Sequence, residues 1–302
     1  VNFYFATVDV CCELTIWEAP AGRIVKTLQL PGVPTGMRIF PDGQYVFFTT
    51  QLGGLCVVDL QGTRKSLVDG NWTCMDLSPT GQFVLLGNAS GEVQLWQLRS
   101  KVNKNRRKVT TVSHSGGITV VRFEMMSESF LTGGMDELIY RWDFNGKELQ
   151  CCEGHKSQIT GLVVGPNPEI MISCAGQGDG TAKLWRLGTG AEVFSTPRLE
   201  IGAAAVAFHN DTAMLYIASW DGFIKQYSLR TLERIKQFVA TNGPIPCMWV
   251  DPTGKYLITA AASGAIFLWD ITKGEIIKPM ATRGAVVALD VFPSGSNAKL
   301  VP

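Results

Sequence analysis

The sequence predicts an all-β protein made of seven copies of one four-stranded antiparallel unit. Three observations predict it. A stretch running apolar, polar, apolar, Trp recurs at an almost constant interval. A Pro-containing turn recurs out of phase with that stretch. The chain of 302 residues is 46% hydrophobic and only 18% charged, yet carries 32 Gly, which suits a packed globule with many tight turns between short strands.

The recurring stretches, in chain order, are "ELTIWEA", "GLCVVDL", "EVQLWQL", "LIYRWDF", "TAKLWRL", "FIKQYSL" and "AIFLWDI". Their anchors are Trp17, Val58, Trp96, Trp142, Trp185, Tyr227 and Trp269, separated by 41, 38, 46, 43, 42 and 42 residues. Alternating apolar and polar residues mark each stretch as a strand. An interval of about 40–45 residues is the length of a four-stranded propeller blade. The second marker is "FPDG" at 40–43, "SPTG" at 78–81, "DPTG" at 251–254 and "FPSG" at 292–295. Pro fits the first central position of a type I turn and Gly often follows it. Each turn is therefore expected to close a hairpin between the first two strands of a unit.

On these residues the chain resembles the WD-repeat (WD40) family over its whole length. The resemblance implies a single domain, residues 1–302, folded as a seven-bladed β-propeller with four antiparallel strands per blade. The family pattern places Gly-His before the first strand, Asp between the second and third, and Trp-Asp at the end of the third. "EGHKSQITGLVVGPNPEIMISCAGQGDGTAKLW" fits with His155, Asp179 and Trp185. "SHSGGITVVRFEMMSESFLTGGMDELIYRWD" fits with His114, Asp136, Trp142 and Asp143, with Ser113 in place of the Gly. Asp221 keeps the six-residue spacing before Tyr227 without a His ahead of it, while Leu52, Ser90 and Ser263 hold that place in three other units. The resemblance implies a buried polar chain in the two full units. His bonds Asp, and a hydroxyl on the second strand, Thr132 or Ser173, bridges to the Trp indole. A buried donor left without a partner costs about 1–3 kcal/mol, so the set is useful only when complete. These residues are accordingly read as structural and not as catalytic acid–base pairs.

The first unit lacks its first strand. Residues 2–8 read as a second strand and 13–18 as a third. The tail "AVVALDVFPSG" supplies the missing one, so residues 285–292 are expected to complete blade one and close the propeller. Either "NAKLVP" or the residues after Val1 could pair beside it. The innermost strands also carry charges at one equivalent position: Asp290, Arg38, Asp76 and Arg122 in blades one to four, where blades five to seven have Val163, Ala207 and Trp249. Their alternating sign predicts inter-blade ion pairs.

Catalysis is not indicated. No Gly-x-Ser-x-Gly, Walker-type loop, His-Glu-x-x-His or dinucleotide fingerprint occurs. With three His and no Cys-x-x-Cys among eight Cys, neither a metal nor a cofactor is expected, and a reducing intracellular setting, cytoplasmic or nuclear, is the simplest reading. No apolar run approaches a membrane span of about 18–20 residues. His209, in "FHND", is expected at a solvated hairpin turn. A net charge of +1 argues against nucleic-acid binding as the main task. The expected function is a non-catalytic protein–protein interaction scaffold, a subunit or module of a larger complex, binding through its loop face and channel mouth. Trp72, Met135 and Trp220 align to that loop face as exposed anchors. One charge run stands apart: "LRSKVNKNRRKV" at 98–109, with Arg99, Lys101, Lys104, Arg106, Arg107 and Lys108. It suits an acidic protein surface, with RNA or anionic lipid as the alternative, although it lacks the aromatics that base stacking wants.

Overall fold

The computed structural model describes residues 3–98, 106–124, 128–165 and 169–292. Every regular element among them is a β-strand, and the strands form seven four-stranded antiparallel sheets. The protein is a seven-bladed β-propeller. Its blades fall into two compact units, residues 1–73 with 245–302, and residues 74–244.

The first unit holds blades one, two and seven. From inner to outer strand, blade one runs Val286–Val291, Phe3–Asp9, Glu13–Ala19 and Arg23–Gln29. Blade two runs Pro34–Ile39, Tyr45–Thr50, Gly54–Asp59 and Arg64–Val68. Blade seven runs Cys247–Val250, Tyr256–Ala260, Ala265–Asp270 and Glu275–Ala281. The second unit holds blades three to six. Blade three enters it at Cys74 and runs Trp72–Leu77, Phe83–Asn88, Glu92–Leu98 and Arg106–Ser113. Blade four runs Ile118–Phe123, Ser129–Gly134, Ile139–Asp143 and Glu148–Cys152. Blade five runs Ile159–Val164, Ile170–Ala175, Ala182–Arg186 and Glu192–Ser195. Blade six runs Ala203–His209, Met214–Ser219, Phe223–Ser228 and Glu233–Val239.

The C-terminal strand completes blade one, as the deficient first unit requires. It lies antiparallel to the N-terminal strand, with Phe5 opposite Val291 and Val8 opposite Ala288. Its side chains feed two cores. Val287, Ala288 and Phe292 pack with Tyr4, Ala6 and Val8 toward blade two. Val286, Leu289 and Val291 pack with Phe5 and Ile258 toward blade seven. The buried Asp9 ties the junction: one carboxylate oxygen accepts the Gly284 N–H at 3.1 Å, the other the Glu13 N–H at 3.0 Å.

The turn marker has the expected geometry at three places. The Gly43, Gly81 and Gly254 N–H groups donate to the Phe40, Ser78 and Asp251 carbonyls at 2.8, 2.8 and 2.9 Å, each closing the hairpin between inner and second strand. Residues 293–295 of the fourth turn lie outside the described residues. A second regularity was not read from the sequence. In six blades the ladder between third and outer strand shifts register at the aromatic anchor, as between Leu184 and Trp185. In blade two, where Val58 replaces the aromatic, the shift moves to Leu55/Cys56. A bulge bends the outer strand and interrupts the ladder there.

The inner-strand charges have a matched geometry in both units. Asp290 Oδ2 accepts the Ile39 N–H at 2.7 Å, and Asp76 Oδ2 accepts the Phe123 N–H at 2.9 Å. Each carboxylate thus bonds the neighbouring blade at the residue following its Arg. Arg38 and Arg122 in turn donate to the Met37 and Val121 carbonyls at 3.2 and 2.9 Å. Alternating sign therefore also serves register, with backbone groups as partners of both charges. Arg38→Met is expected to lower stability by about 1 kcal/mol, and Arg38→Asp, which brings a second carboxylate beside Asp290, by about 3 kcal/mol. Urea denaturation of the two variants measures the difference, and equal losses would remove the electrostatic reading.

Candidate functional site

The site is built on two buried polar chains. In blade five, the Trp185 indole N–H donates to Ser173 Oγ at 2.7 Å, and Ser173 Oγ lies 2.7 Å from His155 Nε2. His155 Nδ1 lies 2.9 Å from Asp179 Oδ2. The donor inventory fixes the direction. The ionised Asp179 can only accept, so His155 Nδ1 carries the proton, and Nε2 of the neutral imidazole accepts from the Ser173 hydroxyl, whose oxygen accepts from the indole. A neutral imidazole satisfies every member. Burial lowers the His155 pKa, against the opposing Asp179 carboxylate. Burial alone would raise the Asp179 carboxyl, but hydrogen bonds from the Thr181 hydroxyl, the Lys156 N–H and His155 outweigh it and hold the pKa below the ordinary value.

Blade four repeats the arrangement. Trp142 donates to Thr132 Oγ1 at 2.9 Å, which lies 2.7 Å from His114 Nε2, and His114 Nδ1 lies 3.0 Å from Asp136. Burial pushes Asp136 up, but His114, the Leu138 N–H and the Ser115 hydroxyl together hold it low. Blade six keeps a reduced version, in which Asp221 accepts from the Ser219 hydroxyl and from the Phe223 N–H. Sheets one and seven carry the indole–hydroxyl bond, Trp17 to Thr7 and Trp269 to Thr259.

These chains also fix the loops beside them. Asp136 anchors residues 135–138 by accepting the Ser115 and Leu138 N–H groups. Asp179 anchors the turn opposite through the Lys156 and Thr181 N–H groups. Further bonds lock the same loops: the Met135 N–H to the Gly117 carbonyl at 2.8 Å, the Ser157 hydroxyl to the Gln177 carbonyl at 2.8 Å, and the Trp220 indole to the Ala203 carbonyl at 3.2 Å. Between them lies an open cleft of about 520 Å³ spanning blades four, five and six. Met135, Ile201 and Trp220 supply apolar surface and are 58%, 45% and 41% exposed. Ser157, Gln158 and Gln177 are its uncharged polar lining, and Glu137 completes it. Rigid backbone around exposed large side chains suits recognition of another chain.

Two of the three anticipated anchors, Met135 and Trp220, thus share one cleft. Trp72 requires a correction. It opens the inner strand of blade three and is only 4% exposed. The cause is Gly70 at φ 141, where a Cβ would stand 2.8 Å from the indole carbons; glycine lets the ring lie over the backbone. The Trp72 Nε1–H has no hydrogen-bond partner among the described residues. His209 is likewise not solvated. It ends the inner strand of blade six, is 5% exposed, and its Nδ1 lies 2.6 Å from Thr212 Oγ1. Of the basic run, Arg99, Lys101 and Lys104 lie outside the described residues, Arg106 begins the outer strand of blade three, and Arg107 and Lys108 are exposed on that strand.

Glu137, Ser157, Gln158, Gln177 and Ile201 were not anticipated. For Glu137 a signal existed: five residues before the anchor, other blades place Gly91, Gly180, Gly222 and Gly264. No cluster of three or more potential metal ligands occurs among the described residues. Burial pushes the Cys152 and Cys174 thiols up to about 11 and about 12, so neither is a thiolate at neutral pH. No helix long and apolar enough to cross a membrane occurs among the described residues.

Comparison with known proteins points one way. The family model "WD domain, G-beta repeat" matches residues 146–186 and 232–270. The chain is 24% identical to WD repeat-containing protein 18 of Danio rerio over 78% of its own length and 58% of the relative's. It is 23% identical to the human protein of that name over 90% and 68%. It is 23% identical to pre-mRNA-processing factor 19 homolog 2 of Arabidopsis thaliana over 96% and 52%, so it spans little more than half of two of these relatives. Among solved structures, the computationally designed Ika8 protein matches with a TM-score of 0.74 at 20% identity, covering 94% of this chain and 86% of that one, a likeness of fold alone.

Proposed function

Starting from the chain's membership of the WD40-repeat β-propeller family, we propose that it is a non-catalytic protein-interaction scaffold, one subunit or module of a larger assembly, and that the cleft of blades four to six is a principal docking site. WD-repeat relatives support a scaffold role in general. The observation that carries the finer reading is the trio Met135, Ile201 and Trp220, large apolar side chains held exposed around one cleft by loops that are hydrogen-bonded in place. Buried area around such anchors supplies most of the affinity in protein interfaces. Preformed loops also reduce the ordering cost of association.

The experiment is a quantitative affinity purification of the wild-type protein and of the double variant Met135→Ala, Trp220→Ala, with Leu149→Ser, exposed on the outer strand of blade four, as the control. The double variant is expected to lose a defined set of co-purifying proteins that the control retains. Its stability is expected to fall by about 1–2 kcal/mol, because Met135 is mostly solvated while Trp220 is 41% exposed and its indole bonds the Ala203 carbonyl. Recovery of the same proteins at the same levels by all three overturns the docking role of this cleft.

A further inference from the structure

Resting on the docking role proposed above, we infer that this cleft is selective for a partner segment carrying a Lys or Arg next to a large apolar side chain, with Glu137 receiving the cation. The first observation is conformational. Glu137 has φ 70, in the left-handed region that disfavours residues with a Cβ. At the equivalent turn position Gly91, Gly180, Gly222 and Gly264 adopt φ 89, 68, 85 and 87. Blade four thus places a glutamate where four other blades use the residue suited to that backbone. Blade one places Cys12 there at φ 63, so the backbone alone assigns no role, but such positions do recur at ligand clamps.

The second observation is that the fold does not use this carboxylate. Glu137 is exposed, and its side chain makes no hydrogen bond or ion pair with any described residue. Its neighbour Asp136 already serves His114 and the turn. The third observation is placement. Glu137 is the one charged residue among those described as lining the cleft, alongside Trp220, Met135 and Ile201. Within one cleft, the Glu137 carboxylate attracts a cation by charge, and the partly exposed Trp220 indole supplies apolar and quadrupolar surface. Apolar walls on the same cleft take the adjoining side chain. An acidic segment would meet repulsion at Glu137, and a purely apolar one would leave its carboxylate desolvated without a partner.

A displayed library of random short peptides, selected on the intact protein, identifies a peptide whose affinity is then measured by fluorescence anisotropy. Enrichment of Lys or Arg adjacent to an apolar residue is expected. Affinity of the selected peptide should fall about three- to tenfold in Glu137→Gln and more in Trp220→Ala. Glu137→Gly should lose affinity equally while raising the thermal midpoint by about 2 °C, because glycine relieves the backbone. Enriched peptides without a cation, or affinity unchanged in Glu137→Gln, overturn this selectivity and leave the docking role standing. A lower midpoint in Glu137→Gly shows that the fold does use the side chain, and also overturns it. No enrichment over the Trp220→Ala protein overturns both.

Discussion

Truncation after Gly284 is expected to abolish cooperative folding. The deletion removes the inner strand of blade one, and with it every ladder bond to the strand Phe3–Asp9. It removes Val286, Leu289 and Phe292, which are 2%, 9% and 3% exposed, from two separate cores. At about 1.5–3 kcal/mol for each buried side chain, the apolar loss alone is roughly 5–9 kcal/mol. That is comparable to the whole stability of a typical domain, about 5–15 kcal/mol. The inter-blade bond from Ile39 to Asp290 and the bond from the Val10 N–H to the Ala285 carbonyl are lost as well. The remaining N-terminal strand would present an open, apolar edge, the kind that templates aggregation. Circular dichroism and size-exclusion chromatography should show an aggregated or molten product. A truncated protein that melts within a few degrees of the full chain would mean that the C-terminal strand is an accessory and not a structural member.

The second large effect is expected from Asp179→Ala. That carboxylate accepts from His155 Nδ1, the Lys156 and Thr181 N–H groups and the Thr181 hydroxyl, in a site that is 6% exposed. Its loss leaves the buried His155 Nδ1–H and three part-buried donors without an acceptor and should lower stability by about 3 kcal/mol. Asp221→Ala, in a blade without the His, should lower it by about 1 kcal/mol. The pH dependence has a definite sign. His155 is held neutral by burial, its folded pKa below the unfolded value of about 6.5. Its unfolded form therefore binds protons first, so stability is fully present above about pH 6.5 and declines as pH falls through the folded pKa. Asp136 and Asp179 have folded pKa values below the unfolded value of about 3.9. Their contribution is present above that value and is lost as pH falls further. Denaturant midpoints of the wild type should thus decline in two stages on acidification. In Asp179→Ala the lower stage should shrink. A wild-type midpoint that is flat from neutral pH down to about 4 would contradict the neutral-His assignment.

Much of this was legible because repeats report what strands need. The seven anchors, the hairpin turns and the donated strand all follow from periodic burial and from turn chemistry that only Pro and Gly supply. The polar chains were legible for the same reason: a buried imidazole and carboxylate each need a partner, so His, Asp, hydroxyl and indole recur together in blades four and five. Loop side chains obey no such period. Trp72 aligned with exposed loop residues, yet its direction is set by Gly70 two positions earlier, a local backbone matter. His209 was read from its neighbours in "FHND" and not from its partner Thr212. Ile201 and Gln177 reach the cleft from loops whose course depends on bonds such as that from the Gly176 N–H to the Gln158 carbonyl. Glu137 was readable in principle, by noticing a glutamate in a column of glycines.

The loops pinned by Asp136 and Asp179 form the surface proposed to dock a partner chain. Site-specific photocrosslinking decides whether a partner docks there. A photoreactive residue in place of Met135 or of Trp220, compared with one in place of Leu149 on the outer strand of the same blade as Met135, should trap the partner from the first two positions and not from the third. Capture from the Leu149 position alone, or with equal yield from all three, would place the interaction elsewhere.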